Sequence, residues 1–202
     1  MIYKIKGKFF TDFYGSAPAI GAEGILKKWC EDKQNDWLLS WADQIKKKGQ
    51  NAMEALEQIL SVFHRDEKNN PILGAWMLRK CLIVTGQTMF NAQKDKSHPK
   101  KNSIPMGINL IDPIHINVFN SKRISSPDNI KTYTVSLTNR SFFKAYEVIK
   151  SGTTFEAQIH ADEEILSKKH MDMIINKCGL IGVGAFRERF GKFTIEKKEL
   201  VS

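Results

Sequence analysis

The chain reads as an α+β protein, and three observations carry that reading. Apolar and polar residues alternate at period two in the first ten residues and again from residue 104 onward. Between these blocks, apolar residues recur at three- and four-residue spacings. The order is strand, helices, several strands, helix, strand, without the regular βαβ alternation of a parallel sheet.

The first segment, residues 2–10, places Tyr3, Ile5 and Phe9 on one face of a strand and Lys4, Lys6 and Lys8 on the other. A solvated strand face carries charge in any case, so this basic face suits either ordinary surface or a ligand-facing strand. After the loop "YGSAP", Trp37, Trp41 and Ile45 recur every four residues, and Leu56, Ile59, Leu60 and Phe63 follow helical spacing. Residues 19–63 are therefore expected to form two or three amphipathic helices, with their tryptophans in the core.

"DEKNNPILGAWMLRKCLIVTGQTMF" predicts a turn at Asn69-Asn70-Pro71, with Pro71 near the first position of a helix that is apolar nearly all round. Such a helix is buried, and Arg79-Lys80 is its one polar interruption. "NAQKDKSHPKKNS", residues 91–103, is a lysine-rich loop without period. Its Lys94, Lys96, Lys100 and Lys101 suit phosphate contacts or plain solvation.

From residue 104 the strands "INLIDPIHINVF", "IKTYTVSL", "SFFKAYEVI" and "TTFEAQIHA" follow, the last alternating Phe155, Ala157 and Ile159 against Glu156, Gln158 and His160. "KSG" between the last two suits a hairpin. The expected antiparallel sheet contains residues 2–10, 130–137, 142–149 and 153–160. A helix is expected over about 167–177, with Met171, Ile174, Ile175 and Cys178 as its core stripe and Gly179 as its stop.

Composition bounds the function. With 202 residues, 42% hydrophobic and 26% charged, the chain suits one globular domain. Its 31 Lys and Arg against 22 Asp and Glu give a net charge of +9, which favours a polyanionic partner. Cys30, Cys81 and Cys178 lie far apart with no CxxC pair, so a reducing cytoplasm is expected. The start lacks a signal peptide's apolar run, and no segment has the ~18 apolar residues of a membrane span. The five histidines show no ligand spacing, so neither a metal nor another cofactor is expected. No P-loop, GxSxG or HExxH pattern is present, and "GVGAFRERFG" lacks the GxGxxG spacing of a dinucleotide fingerprint.

The stretch "IGVGAFRERFGKF", Ile181 to Phe193, concentrates three glycines, two arginines, a lysine and three phenylalanines. Glycine admits positive φ and close backbone approach, arginine forks onto phosphate, and an aromatic ring offers a stacking surface for a base. The candidate nucleic-acid contacts are Gly182, Gly184, Phe186, Arg187, Arg189, Gly191 and Lys192, joined by Arg79, Lys80, Lys4, Lys6, Lys8, Lys100 and Lys101. Read as an extended segment, Arg187, Arg189 and Gly191 share one side and Phe186, Glu188 and Phe190 the other. The same letters also suit a plain helix-to-strand turn.

Helix, then Gly182-x-Gly184, then Gly191-x-Phe193, then a last strand resembles the C-terminal G-x-G-x₆-G-x-F signature of the RAMP superfamily, the RRM-like proteins of CRISPR ribonucleoprotein complexes. "YEVIKSGTTFEAQIHA" is similar to the hairpin before that superfamily's last helix. "DEKNNPILGAWMLRK" is similar to its "NG-x-P-x-I-P-G-S-S-L-K-G-A-L-R" helix, with Pro71, Gly74 and Arg79 in register. "FRxRFGxF" endings also resemble those of phage proteins. The resemblance implies one ferredoxin-like (RRM-like) domain over residues 1–202, with the helical stretch 19–63 and the basic loop 91–103 as elaborations. It also implies RNA, such as a guide, or another single strand held by its backbone, and self-association or further subunits of a complex. Residues 19–63 have no counterpart in the family pattern, and no residue matches the catalytic aspartate of its RNA-cutting members. A non-catalytic RNA-binding subunit is therefore expected.

Two alternatives stay open. One is a phage or mobile-element protein that kept the fold and inhibits or scaffolds a host complex. The other is a metal-independent endoribonuclease, for which His64 and His98 are the loop histidines available as general acid or base.

Overall fold

The computed structural model of the chain describes residues 1–18, 40, 60–91, 98–111, 114–117, 129–137, 140–185, 187 and 189–201. The helices expected over 19–59, with Trp37 and Trp41, lie outside the described residues apart from Ser40, as do Cys30, Lys94 and Lys96.

The first strand, β1 (Ile2–Phe9), alternates as expected: Tyr3, Ile5 and Phe9 are buried, while Lys4 is exposed and Lys6 and Lys8 are partly so. It lies between β11 (Thr154–Ala161) and β12 (Phe193–Leu200), antiparallel to both. The large sheet runs β12-β1-β11-β8-β6-β5, with β8 at Ile114–Asn117, β6 at Pro71–Leu73 and β5 at His64–Arg65, and β7 (Ile108–Leu110) pairs beside β11. Helices α1 (Ala75–Asn91) and α2 (Lys168–Cys178) pack on its apolar face. Ser167 caps α2, its hydroxyl accepting from the His170 backbone N–H at 3.4 Å. The expected stripe of Met171, Ile174, Ile175 and Cys178 is buried. Where the two helices cross, the Cys81 thiol donates to the Cys178 carbonyl at 2.9 Å, and both cysteines are buried and free.

A second sheet contains β2 (Phe13–Tyr14), β10 (Arg140–Ile149), β4 (Leu60–Val62) and β3 (Ala17–Pro18) in that order, with β9 (Asn129–Leu137) paired to β10. The fold is thus α+β with predominantly antiparallel sheets; β10 and β4 run parallel.

Three expectations change here. The helical stripe does not reach Phe63: Leu60, Ser61, Val62 and Phe63 are all buried, and the first three form an inner strand. A strand buried on both faces loses the period-two signal and imitates a helix stripe. Pro71 does not open a helix but begins β6, where its missing N–H is tolerated at a strand's first position, and α1 starts only after Gly74. Finally, β10 and β11 do not form a hairpin. Phe13 and Tyr14 pair with Ile149 and Val148 in the second sheet, whereas Lys8 pairs with Thr154 in the large one. The β1–β2 and β10–β11 connections cross between the sheets side by side, tied where Gly152 N–H donates to the Phe9 carbonyl at 2.7 Å and Phe9 N–H to that of Thr153 at 2.9 Å.

Beside this corner the fully buried Glu147 carboxylate accepts the Phe63 N–H at 2.6 Å and pairs with the Arg65 guanidinium. Burial outweighs the arginine and pushes the carboxyl up to about 7. Gly15 N–H donates to the Glu147 carbonyl at 2.9 Å, so this residue ties β10 to the segments after β2 and β4.

Candidate nucleic-acid interface

The glycine-rich stretch is a folded loop bridging the two sheets. It leaves α2 at Gly179, whose φ of −63° is ordinary. Glycine is needed there for space, because a Cβ would run into the Phe193 carbonyl of β12. The loop closes on itself where Val183 N–H donates to the Gly191 carbonyl at 3.0 Å. It is stapled to the β1–β2 connection by Gly191 N–H to the Asp12 carbonyl at 2.7 Å and Lys192 N–H to Thr11 Oγ1 at 2.8 Å, and to β2 by Ala185 N–H to the Tyr14 carbonyl at 3.3 Å.

Gly182, Gly184 and Gly191 have φ of +79°, +78° and +66°, the left-handed region expected of them. The close approach they permit is to the protein's own backbone: a Cβ on Gly182 would lie 2.5 Å from the Arg187 carbonyl oxygen and 2.7 Å from that of Phe190. The extended alternation expected through this loop is absent among its described residues, which form turns. Arg189 is exposed, Arg187 half-buried, and Phe190 half-buried against Tyr14, with ring centroids 4.6 Å apart. Tyr14 in turn shares a 2.6 Å hydrogen bond with the Tyr133 hydroxyl, and burial together with that bond raises its pKa. The loop therefore rests on an aromatic floor. Phe186 lies outside the described residues.

Across from the loop stands the N-terminal turn of α1. Between them is a cleft of about 190 Å³ whose lining includes Ser16, Trp76, Lys80, Gly182, Gly184 and Arg187. Lys80 and Arg187 both line it, beside Trp76 and Met77 of the first turn of α1, which holds no acidic residue. The structure thus brings Lys80 to the glycine loop. Its neighbour Arg79 turns away, donating from Nε to the Ile108 carbonyl at 2.7 Å and from Nη2 to that of Pro105, where it holds the loop before β7.

The other candidate lysines stand elsewhere. Lys4 and Lys6 line a separate concavity of about 390 Å³ on the outward face of the large sheet, together with Glu156 and Glu199. Lys8 lies 3.5 Å from Glu196. Carboxylates from β11 and β12 therefore stand beside the basic face of β1, Glu199 being paired with Lys197 of its own strand, which a reading of one strand at a time misses. Lys100 and Lys101 are exposed in a loop anchored by their backbone carbonyls, Lys101 accepting from Gln87 Nε2 at 3.2 Å.

Two features had no sequence signal. Trp76, expected in a buried helix, is 55% exposed at the lip of the cleft, with the His64 ring perpendicular to it at 5.8 Å. His98 and His170, 72 residues apart, place Nδ1 and Nε2 3.2 Å from each other, and Ser167 Oγ lies 2.9 Å from His170 Nδ1.

No protein-family model and no curated protein sequence matches the chain. Among solved structures, its fold matches a chain in the cryo-EM structure of the Type III-B Cmr-beta bound to cognate target RNA, with a TM-score of 0.55 at 10% identity over 98% of this chain. The match covers 59% of that longer chain. At this identity the likeness is one of fold. No helix among the described residues is long and apolar enough to cross a membrane.

Proposed function

We propose that this chain binds single-stranded RNA by its backbone, in the cleft between α1 and the glycine loop, as a non-catalytic subunit of a CRISPR-type or phage-encoded ribonucleoprotein. The observation that carries this reading is that Lys80 and Arg187 line one cleft together with Gly182, Gly184 and the first turn of α1. Phosphate is the ligand that such donors suit. Arg189 and Lys192 extend the same surface along the loop, while Lys4, Lys6, Lys8, Lys100 and Lys101 supply longer-range attraction.

In this reading the four strands β12-β1-β11-β8, with α1 and α2 on one face, are a ferredoxin-like core of the RAMP type. The second sheet is an addition that braces the loop. The fold likeness to a chain of an RNA-bound Cmr complex supports the reading, as do the RAMP-like motifs around Gly74 and Gly182. The test is fluorescence anisotropy with a labelled single-stranded RNA. Lys80→Ala plus Arg187→Ala should weaken binding at an unchanged melting temperature. A parent chain that binds no RNA at low salt would favour the protein-scaffold alternative.

One observation favours a second reading, metal-independent RNA cleavage. General acid–base cleavage uses paired proton donors and acceptors, and His98 and His170 stand within hydrogen-bond reach. Incubating end-labelled RNA with the parent and with His98→Ala distinguishes the two readings: the proposed holding role predicts intact RNA in both.

A further inference from the structure

Among the described residues, Trp76 is the largest exposed aromatic surface beside the cleft, and its surroundings differ from those of an incidental surface ring. Its helix neighbours Ala75, Met77 and Leu78 are 4%, 7% and 0% exposed, whereas Trp76 is 55% exposed. The ring is nevertheless held. A Cβ at Gly74 would lie 2.8 Å from Trp76 Nε1, so the indole edge packs over the bare α-carbon of that glycine. The His64 ring stands perpendicular to it, with an interplanar angle of 89°. His64 is itself fixed in β5, next to Arg65 and its buried partner Glu147. The indole is therefore preorganised with much of its surface in water, on the rim that Lys80 and Arg187 make cationic.

We infer that Trp76 is a stacking platform for one unpaired base of a single-stranded RNA whose adjacent phosphate lies between Lys80 and Arg187. This rests on the proposed backbone-binding role of the cleft and deepens it: the strand is held by an unstacked base as well as by its phosphate. An aromatic face accepts any base, so the platform gives preference for single strands without sequence readout. A base inside a duplex is already stacked on both faces and leaves nothing for the indole to cover.

The experiment compares two labelled probes, an oligouridylate and an oligomer of the same length made of abasic ribose phosphate, by fluorescence anisotropy at one salt concentration. Trp76→Ala should weaken oligouridylate binding about tenfold, within the range of aromatic stacking on one base, and leave the abasic probe unaffected. Trp76→Phe, which keeps a smaller ring, should recover most of the loss. Lys80→Ala plus Arg187→Ala should weaken both probes alike. Equal binding of oligouridylate by Trp76→Ala and the parent overturns the platform while leaving the cleft standing. Equal loss of both probes in Trp76→Ala also overturns it, since the ring would then shape the phosphate site instead of meeting a base. No binding of either probe by the parent overturns both readings. Thermal melts of the variants check that the exposed ring can be removed without unfolding.

Discussion

Val183 and Gly191 close the glycine loop on itself: Val183 N–H donates to the Gly191 carbonyl at 3.0 Å, and a Cβ on Gly191 would collide with the Val183 carbonyl. Gly191 is also at φ +66°, so an added side chain meets both a steric wall and an unfavourable backbone region. Gly191→Ala should destabilise the fold by about 3 kcal/mol, read from urea unfolding. A variant as stable as the parent would mean that the loop closes differently.

Charge removal on the same loop should act on binding alone. Arg187→Ala plus Arg189→Ala should reduce RNA affinity about tenfold with little change in melting temperature, because Arg189 is exposed and Arg187 half-buried, and charges that keep contact with water contribute little to stability. Phe190→Ala should behave oppositely, lowering stability by about 2 kcal/mol through its lost packing on Tyr14, less than a fully buried phenylalanine would.

Salt dependence counts the phosphates. Each phosphate neutralised on a single strand adds about 0.7 to the slope of log K against log salt, so removing Lys80, Arg187 and Arg189 together should lower that slope by about 2. Anisotropy titrations across a salt series measure it, and an unchanged slope would place the phosphate contacts elsewhere.

Glu147 makes stability depend on pH. Its carboxyl is raised by burial from 4.5 to about 7 in the folded chain, so the folded state holds a proton that the unfolded state has released over that interval. The stabilisation is fully present below pH 4.5 and is lost as pH rises through about 7. Glu147→Gln has no such proton, so its stability should gain on the parent across this window in chemical denaturation. Parallel profiles for the two proteins would contradict the burial of a titrating carboxyl.

Sequence alone reached the elements whose signals are local. The alternation of Tyr3, Ile5 and Phe9, the stripe from Met171 to Cys178 and the positive φ of Gly182, Gly184 and Gly191 each depend on neighbours within a few residues. The misses depend on partners far along the chain. Whether β11 joins β10 or β1 is decided by a corner shared with β2, and period two is the same in either sheet. The carboxylates beside Lys4, Lys6 and Lys8 come from residues 156, 196 and 199. Trp76 has the composition of a buried helix around it, and only the position of the glycine loop makes it a rim residue. His98 and His170 meet although they lie 72 residues apart, His98 following α1 in sequence and His170 standing in the first turn of α2.

The central claim is that the cleft between α1 and the glycine loop is where RNA lies. Ultraviolet crosslinking of a labelled single-stranded RNA to the parent chain, followed by mass spectrometry of the crosslinked peptides, tests it most directly. The account predicts adducts on peptides spanning Trp76 to Lys80 and Ile181 to Phe193. Adducts confined to the β1 face around Lys4, Lys6 and Lys8, or none at low salt, would contradict it.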